Sequence, residues 1–408
     1  MFTYYLLMGL TGVLGITKGL ALAKILGVTE FGAYGLTVTT GAAFQFIISL
    51  GAIDGLNIIL PKLMINNDTQ EISHTLYSVT KMVVLRGIGI SLAALLVLDV
   101  AGHPALALGS LIGIGTALTT IPIIYARCRG SLTGFGFSMF LKALFTLITG
   151  CVGGWLYGSA GALVGECLGT MAALLHTWPK GLVASTQSFS EVRVTDRMAR
   201  SAGKPITVQS VNNVVQQNVE RWIVAATLGL EGAGKFGLAQ LFVTGVNLVH
   251  ATFFQQAGAK VLPDLASGQS KQQVMLQLLR FSGLIGAVSF SVVVIAAIGA
   301  SQFLPPLITH IDRDEFKWCL VWLTVGATIQ MLHYSDWLMI GCHKQRSLEH
   351  ISWMLTMASC LLHGFGWLTS QAFEYFLFCY ALTRLFLLTA SWYSAWKAEY
   401  QNQDMASA

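Results

Sequence analysis

LAKILGVTEFGAYGLTVTTGAAFQFIISLGAIDGLNIILPKLMI, residues 22–65, reads as the end of one hydrophobic helix at Leu26-Gly27, a short acidic turn, a second hydrophobic helix and a closing Leu60-Pro61. The stretch recurs as VAATLGLEGAGKFGLAQLFVTGVNLVHATFFQQAGAKVLPDLAS, residues 224–267. One offset of 202 residues carries Leu26-Gly27 onto Leu228-Gly229, Gly32 onto Gly234 and Tyr34-Gly35-Leu36 onto Phe236-Gly237-Leu238. The same offset carries Leu60-Pro61 onto Leu262-Pro263 and Leu63 onto Leu265. A single offset held across two helices and both of their ends marks a duplicated membrane unit, a common signature of transporter folds.

Composition agrees. Hydrophobic residues make up 54% of the 408, charged residues 11%, and the mean hydropathy is +0.65. A soluble globular chain carries roughly 25% charged residues, so this is a polytopic membrane protein. The net charge of +5 is spread between apolar runs rather than clustered with aromatics, which argues against a nucleic-acid partner. Seven cysteines, at 128, 151, 167, 319, 342, 360 and 379, contain no C-x-x-C pair and mostly sit within apolar runs. They read as small core residues, with no disulfide framework or metal site.

About 20 apolar residues cross a bilayer, and twelve such runs lie near 4–26, 33–60, 77–100, 104–126, 134–157, 160–178, 205–229, 236–262, 279–300, 316–341, 350–370 and 373–396. The first has no basic n-region and no A-x-A site, so it is read as a retained span rather than a signal peptide. Only three residues precede it, a short lead that leaves a start upstream of Met1 open. With both termini cytoplasmic, the inner loops hold Lys62, Arg127, Arg129, Lys180, Arg193, Arg197, Arg200, Lys204, Lys271, Lys344, Arg346 and Lys397, and the outer loops only Lys235, Arg313 and Lys317. That asymmetry sets the orientation. The expected architecture is an all-α integral membrane protein of about twelve transmembrane helices in two six-helix lobes. The lobes are 1–178 and 205–396, with a polar cytoplasmic linker at 179–204 and a tail at 397–408. An even number of helices per lobe makes the repeat parallel, with a central cleft between the halves.

The segment LAKILGVTEFGAYGL, the SLGAIDGL before Pro61, the twelve spans and the polar central loop resemble the polysaccharide transporters of the multidrug/oligosaccharidyl-lipid/polysaccharide flippase superfamily, nearest the O-antigen (Wzx-type) flippases. The resemblance covers the whole chain in layout, with its sharpest motif in residues 20–63. It implies two lobes around a cavity that moves an undecaprenyl-diphosphate-linked oligosaccharide from the cytoplasmic to the periplasmic leaflet of a bacterial inner membrane. Membrane lipids, a polysaccharide polymerase and a chain-length regulator are the further partners it implies.

The cargo should be recognised by polar groups at membrane depth. Lys18, Arg86, Lys142, Arg221 and Arg384 each fall well inside an expected span. A charge there costs at least ~2.5–3.5 kcal/mol on insertion scales, so it faces water or a partner. Five cations suit an anionic ligand such as a lipid diphosphate, gripped by Arg as a fork and by Lys as a point charge. Snorkelling of Lys142 and internal pairing of Arg221 are the bland alternatives. Asp54, Glu166, Glu220 and Asp336 are the acids at depth. Each is a candidate for H⁺ or Na⁺ coupling, against local charge compensation as the plainer reading. No other cofactor is expected.

Gln209, Asn213, Gln216 and Glu220 form one stripe of the seventh span, and Gln240, Thr244 and Asn247 repeat it on the eighth. Amides in lipid need partners, which sugar hydroxyls in a cleft or a facing helix would supply. Gly229 to Lys235, GLEGAGK, matches the start of a phosphate-binding loop but continues into Phe236, where Ser or Thr is needed for Mg²⁺. It is the second copy of the turn that carries Gly32. HIDRDE at 310–315 reads as a solvated loop, not a metal site, and no catalytic signature is present. Three functions compete: a lipid-linked oligosaccharide flippase, a multidrug or small-molecule antiporter of the same superfamily, and a membrane polymerase or acyltransferase. The antiporter would favour acids over cations at depth, and the longest outer loop, about 301–315, is too short to build an enzyme's site.

Overall fold

The computed structural model describes residues 2–65, 68–100, 104–178, 188–203, 218, 221–241, 270–303, 317, 320–323, 325–326, 329, 345–369 and 373–397. The described residues are helical, joined by short turns. The chain divides into two compact units: Met1–Asn218 with Gly229–Gly237, and Val219–Leu228 with Leu238–Ala408.

The first unit opens with α1 (Phe2–Ser49), α2 (Ala52–Ile65), α3 (Thr69–Val100), α4 (Pro104–Cys128) and α5 (Leu132–Thr177). A straight helix of 48 residues would be ~72 Å long, more than twice the hydrocarbon thickness. It is not straight. Gly27, at φ 74° and ψ 167°, breaks α1 where the quoted stretch places its turn, because only glycine takes that backbone without a Cβ clash. The 46-residue α5 breaks likewise at Tyr157 and Gly158 (φ 62°, ψ −150°). Each half of α1 and of α5 then matches one span of the sequence, and α3 and α4 match two more.

The second expected span is not continuous. Leu50 (φ 45°) and Gly51 (φ 85°) interrupt it between α1 and α2, so 33–60 is a broken span rather than one helix. Asp54 consequently lies in the first turn of α2, where the unpaired N–H groups favour a carboxylate. Asp68 Oδ1 accepts from the Glu71 N–H at the start of α3, and Ser131 Oγ accepts from the Gly134 N–H at the start of α5.

α1, α3, α4 and α5 are long and apolar enough to cross a membrane. Their outward faces carry Leu96, Trp155 and Leu175, each more than 70% exposed, which is tolerable only against lipid. Inside, Ile48, Leu56, Leu60, Leu76, Val79, Val83 and Ile121 form one buried cluster from α1 to α4. Close approach is made by glycine: a Cβ on Gly153 would lie 2.2 Å from Gly161 O, and one on Gly161 would lie 2.1 Å from Gly153 O. The two limbs of α5 are thereby zipped backbone to backbone, as small residues permit in lipid.

The central segment departs from the expected polar loop. Residues 189–203 form a helix started by a capping box, in which the Ser188 N–H donates to Glu191 Oε2 and the Glu191 N–H to Ser188 Oγ. Val192, Asp196, Ala199 and Gly203 make its buried face. Gly55 abuts the Ala199 carbonyl and Gly203 abuts Gly51 O, so SLGAIDGL is the seat of this helix. Residues 221–241, Lys271–Phe303, Gln345–Leu368 and Phe373–Lys397 are the main helical stretches that follow. Tyr375 Oη donates to Leu362 O between the last two.

Candidate functional site

Lys18 sits on the first limb of α1 and Glu166 on the second limb of α5. Lys18 Nζ donates to Glu166 Oε1 at 2.6 Å, with side-chain exposures of 20% and 11%. Lys142, half-buried on the first limb of α5, lies within electrostatic range of both. Lys18 is thus paired with the carboxylate while Lys142 lies near the pair, so two lysines face one acid. Glu166 Oε2 is buried and has no hydrogen-bond partner. The carboxylate therefore has acceptor capacity to spare for a further donor.

The hairpin of α5 positions this cluster. Thr149 Oγ1 donates to Gly165 O, next to Glu166, and Thr170 Oγ1 donates to Glu166 O. A Cβ on Gly165 would meet Thr149 O at 2.1 Å, so the limbs are in backbone contact where the carboxylate enters the interior. The nearby Glu166 carboxylate offsets part of the cost of burying Lys142.

Arg86, expected among the cavity cations, is held in an ion pair. Its Nη1 and Nη2 donate to Asp196 Oδ2 and Oδ1 at 3.1 and 2.9 Å, and Arg200 Nε donates to the same Oδ2 at 2.9 Å. Asp196 is fully buried. Its forked pair with Arg86 fastens the helix of residues 189–203 to α3. Asp196 lies within the segment read from sequence as a polar cytoplasmic linker, 179–204, and is not singled out there. The signals that mark it are the S-x-x-E cap and the spacing of Val192, Asp196, Ala199 and Gly203 along one helical face.

In the second unit Arg384 is buried and Arg221 and Gln240 are half-buried. Gln209, Asn213, Gln216, Glu220, Asn247 and Asp336 lie outside the described residues, so the polar stripe of the seventh span is not described. Within GLEGAGK, Gly234 is packed against the Val28 carbonyl, which leaves its N–H end no room to cradle a phosphate. Among the described residues no group of His, Cys, Asp and Glu could hold a metal ion, and the described cysteines are free thiols.

No family model matches the chain, and no curated protein matches it. Solved structures do. An inward-facing multidrug resistance MATE family transporter of the MOP superfamily superposes with a TM-score of 0.71 at 12% identity, over 94% of this chain and 93% of that one. The lipid II flippase MurJ in an inward closed conformation gives a TM-score of 0.69 at 12% identity, over 97% of this chain and 87% of that one. A MOP superfamily transporter from Pyrococcus furiosus, described as having a binding pocket of reverse polarity, gives 0.61 at 12% identity, over 97% and 94%. The chain is a multi-pass, all-α membrane protein with the fold of the MOP superfamily transporters.

Proposed function

We propose that this protein is a flippase that carries an undecaprenyl-diphosphate-linked oligosaccharide from the cytoplasmic to the periplasmic leaflet of a bacterial inner membrane. The observation that carries the reading is the cluster in which Lys18 and Lys142 face the single acid Glu166. A buried cation without its own counter-ion is costly, and an anionic headgroup that enters the site relieves that cost. Lys18 and Lys142 are the ligands in the first unit, and Arg221, Arg384 and Gln240 are candidate ligands in the second. Gln209, Asn213, Gln216 and Asn247 would hydrogen-bond the sugars. Glu166 keeps Lys18 in place, and its spare oxygen makes it the acid on which H⁺ or Na⁺ coupling would act. The same oxygen favours the alternative, a cation-coupled small-molecule antiporter, but there the single acid is outnumbered by lysines.

Complementation of a strain deleted for the gene separates these readings. Deletion should leave lipid-linked repeat units on the cytoplasmic side and remove surface polysaccharide. Lys142→Glu should not restore it, at wild-type protein abundance. Lys18→Glu combined with Glu166→Lys should recover the abundance lost in either single variant, because the pair is re-formed. Unchanged polysaccharide in the deletion strain, with altered drug tolerance instead, would replace the flippase by the antiporter.

A further inference from the structure

Lys81 stands at the end of a lipid-facing stripe of α3. Leu85, Ile88, Leu92 and Leu96 are 45%, 51%, 59% and 71% exposed. They follow Lys81 at intervals of four, three, four and four residues, so all five share one helical face. From Leu85 to Leu96 the helix rises ~16 Å, half of a hydrocarbon core that is about 30 Å thick. The stripe is therefore as long as one leaflet, and Lys81 sits where the headgroups of that leaflet begin. In the orientation expected from the loop charges this is the cytoplasmic leaflet.

A second helix brings another cation to the same place. Lys81 Nζ lies 5.7 Å from the ring centre of Tyr77, one turn back on α3, and 5.6 Å from that of Phe189, at the start of the helix of residues 189–203. The Arg193 guanidinium lies 5.8 Å from the same Phe189 ring. That ring is 50% exposed. The acids of the central helix are engaged elsewhere: Glu191 Oε2 accepts from the Ser188 N–H, and Asp196 accepts from Arg86 and Arg200. Among the described residues neither Lys81 nor Arg193 is in an ion pair.

We propose that this corner binds the phosphate headgroup of an acidic phospholipid of the cytoplasmic leaflet, with an acyl chain lying along the stripe from Leu85 to Leu96. Snorkelling accounts for one lysine at the end of a lipid-facing stripe. It does not account for a second cation, from a different helix, that converges on the same exposed ring with no acid paired to either. Two unpaired cations side by side repel, and a phosphodiester between them removes the repulsion while giving each a charge-assisted hydrogen bond. The headgroup then bridges α3 and the central helix beside the Arg86–Asp196 pair, a second fastening made of lipid. A zwitterionic lipid carries its own cation and offers the corner less.

The site depends on the membrane and not on the cargo, so polysaccharide export plays no part in its test. Full-length protein in detergent is melted with added dioleoylphosphatidylglycerol, dioleoylphosphatidylcholine or inorganic phosphate. Phosphatidylglycerol should raise the melting temperature and the other two should not. The concentration giving half of that rise should increase roughly fivefold in Lys81→Ala and in Arg193→Ala, and stay unchanged in Arg129→Ala, which removes an exposed loop cation. In detergent alone all three variants should melt with the wild type. An equal rise with phosphatidylcholine or with phosphate overturns the proposal, as does an undiminished response in the Lys81→Ala, Arg193→Ala double variant. A rise with undecaprenyl phosphate but none with phosphatidylglycerol also overturns it, and assigns the corner to the cargo. A second arm needs no variant: in liposomes, phosphatidylglycerol with a photoactivatable acyl chain should label the peptide holding residues 85–96 more heavily than phosphatidylcholine bearing the same chain. Equal labelling by the two lipids overturns the proposal.

Discussion

Asp196 carries more of the first unit's integrity than its place in a charged stretch suggests. It is fully buried and accepts from two arginines, so the group of three bears one surplus positive charge. Removing the acid leaves Arg86, only 16% exposed at its side chain, without an opposite charge. Breaking a buried pair from one side costs ~3–5 kcal/mol. Asp196→Ala is therefore expected to lower the melting temperature of the purified protein sharply. Asp196→Asn, which keeps one acceptor oxygen, should fall between the two, and Arg193→Ala, on the exposed face, should match the wild type. Equal melting curves for Asp196→Ala and wild type would mean that the helix of residues 189–203 is not held by this pair. Lys18 and Glu166 obey the same electrostatics, and Glu166 keeps a buried oxygen with acceptor capacity to spare.

The glycines of α5 set how closely its limbs approach. Gly153 and Gly161 each face the other's carbonyl at about 2 Å from an added Cβ, so a methyl group there must push backbone aside. Overpacking of this kind costs ~1–3 kcal/mol. Gly161→Ala should destabilise the protein by that order and disturb Glu166 five residues later. Gly15→Ala, where nothing lies within 4 Å, removes a flexible residue from a helix and should be neutral or stabilising by up to ~1 kcal/mol. Thermal melting of the two variants side by side checks the contrast. A stable Gly161→Ala would show that the hairpin opens more freely than its contacts indicate.

Orientation is a property of the whole chain, set by the distribution of Lys and Arg among its loops. The turn at residues 26–32 lies with the α5 kink, and the helix of residues 189–203 packs around Gly51, Gly55 and α3, away from that end. A single cysteine at Glu231, which is 54% exposed at its side chain, should react with an impermeant thiol reagent added outside the cell. One at Arg193, on the exposed face of the central helix, should react only after the membrane is permeabilised. The reverse pattern would invert the topology.

The duplicated stretch, the apolar runs and the charges at depth were legible in the chain, because membrane spans and their breaks are written in local composition. Length and hydropathy marked the spans, and the 202-residue offset marked Gly27, Gly32, Gly229 and Gly234. Local composition carries no information about which deep charge meets which. Lys18 and Glu166 are 148 residues apart, and Arg86 and Asp196 are 110 apart. Tertiary packing alone made the first pair the core of a cationic cluster and the second a clasp for the central helix. It also decided that the two copies of one turn meet at their glycines. The physical reason is that a charge or a bare backbone in lipid is costly wherever it lies, so the sequence reveals its presence, while its partner is chosen by the fold that brings it within reach.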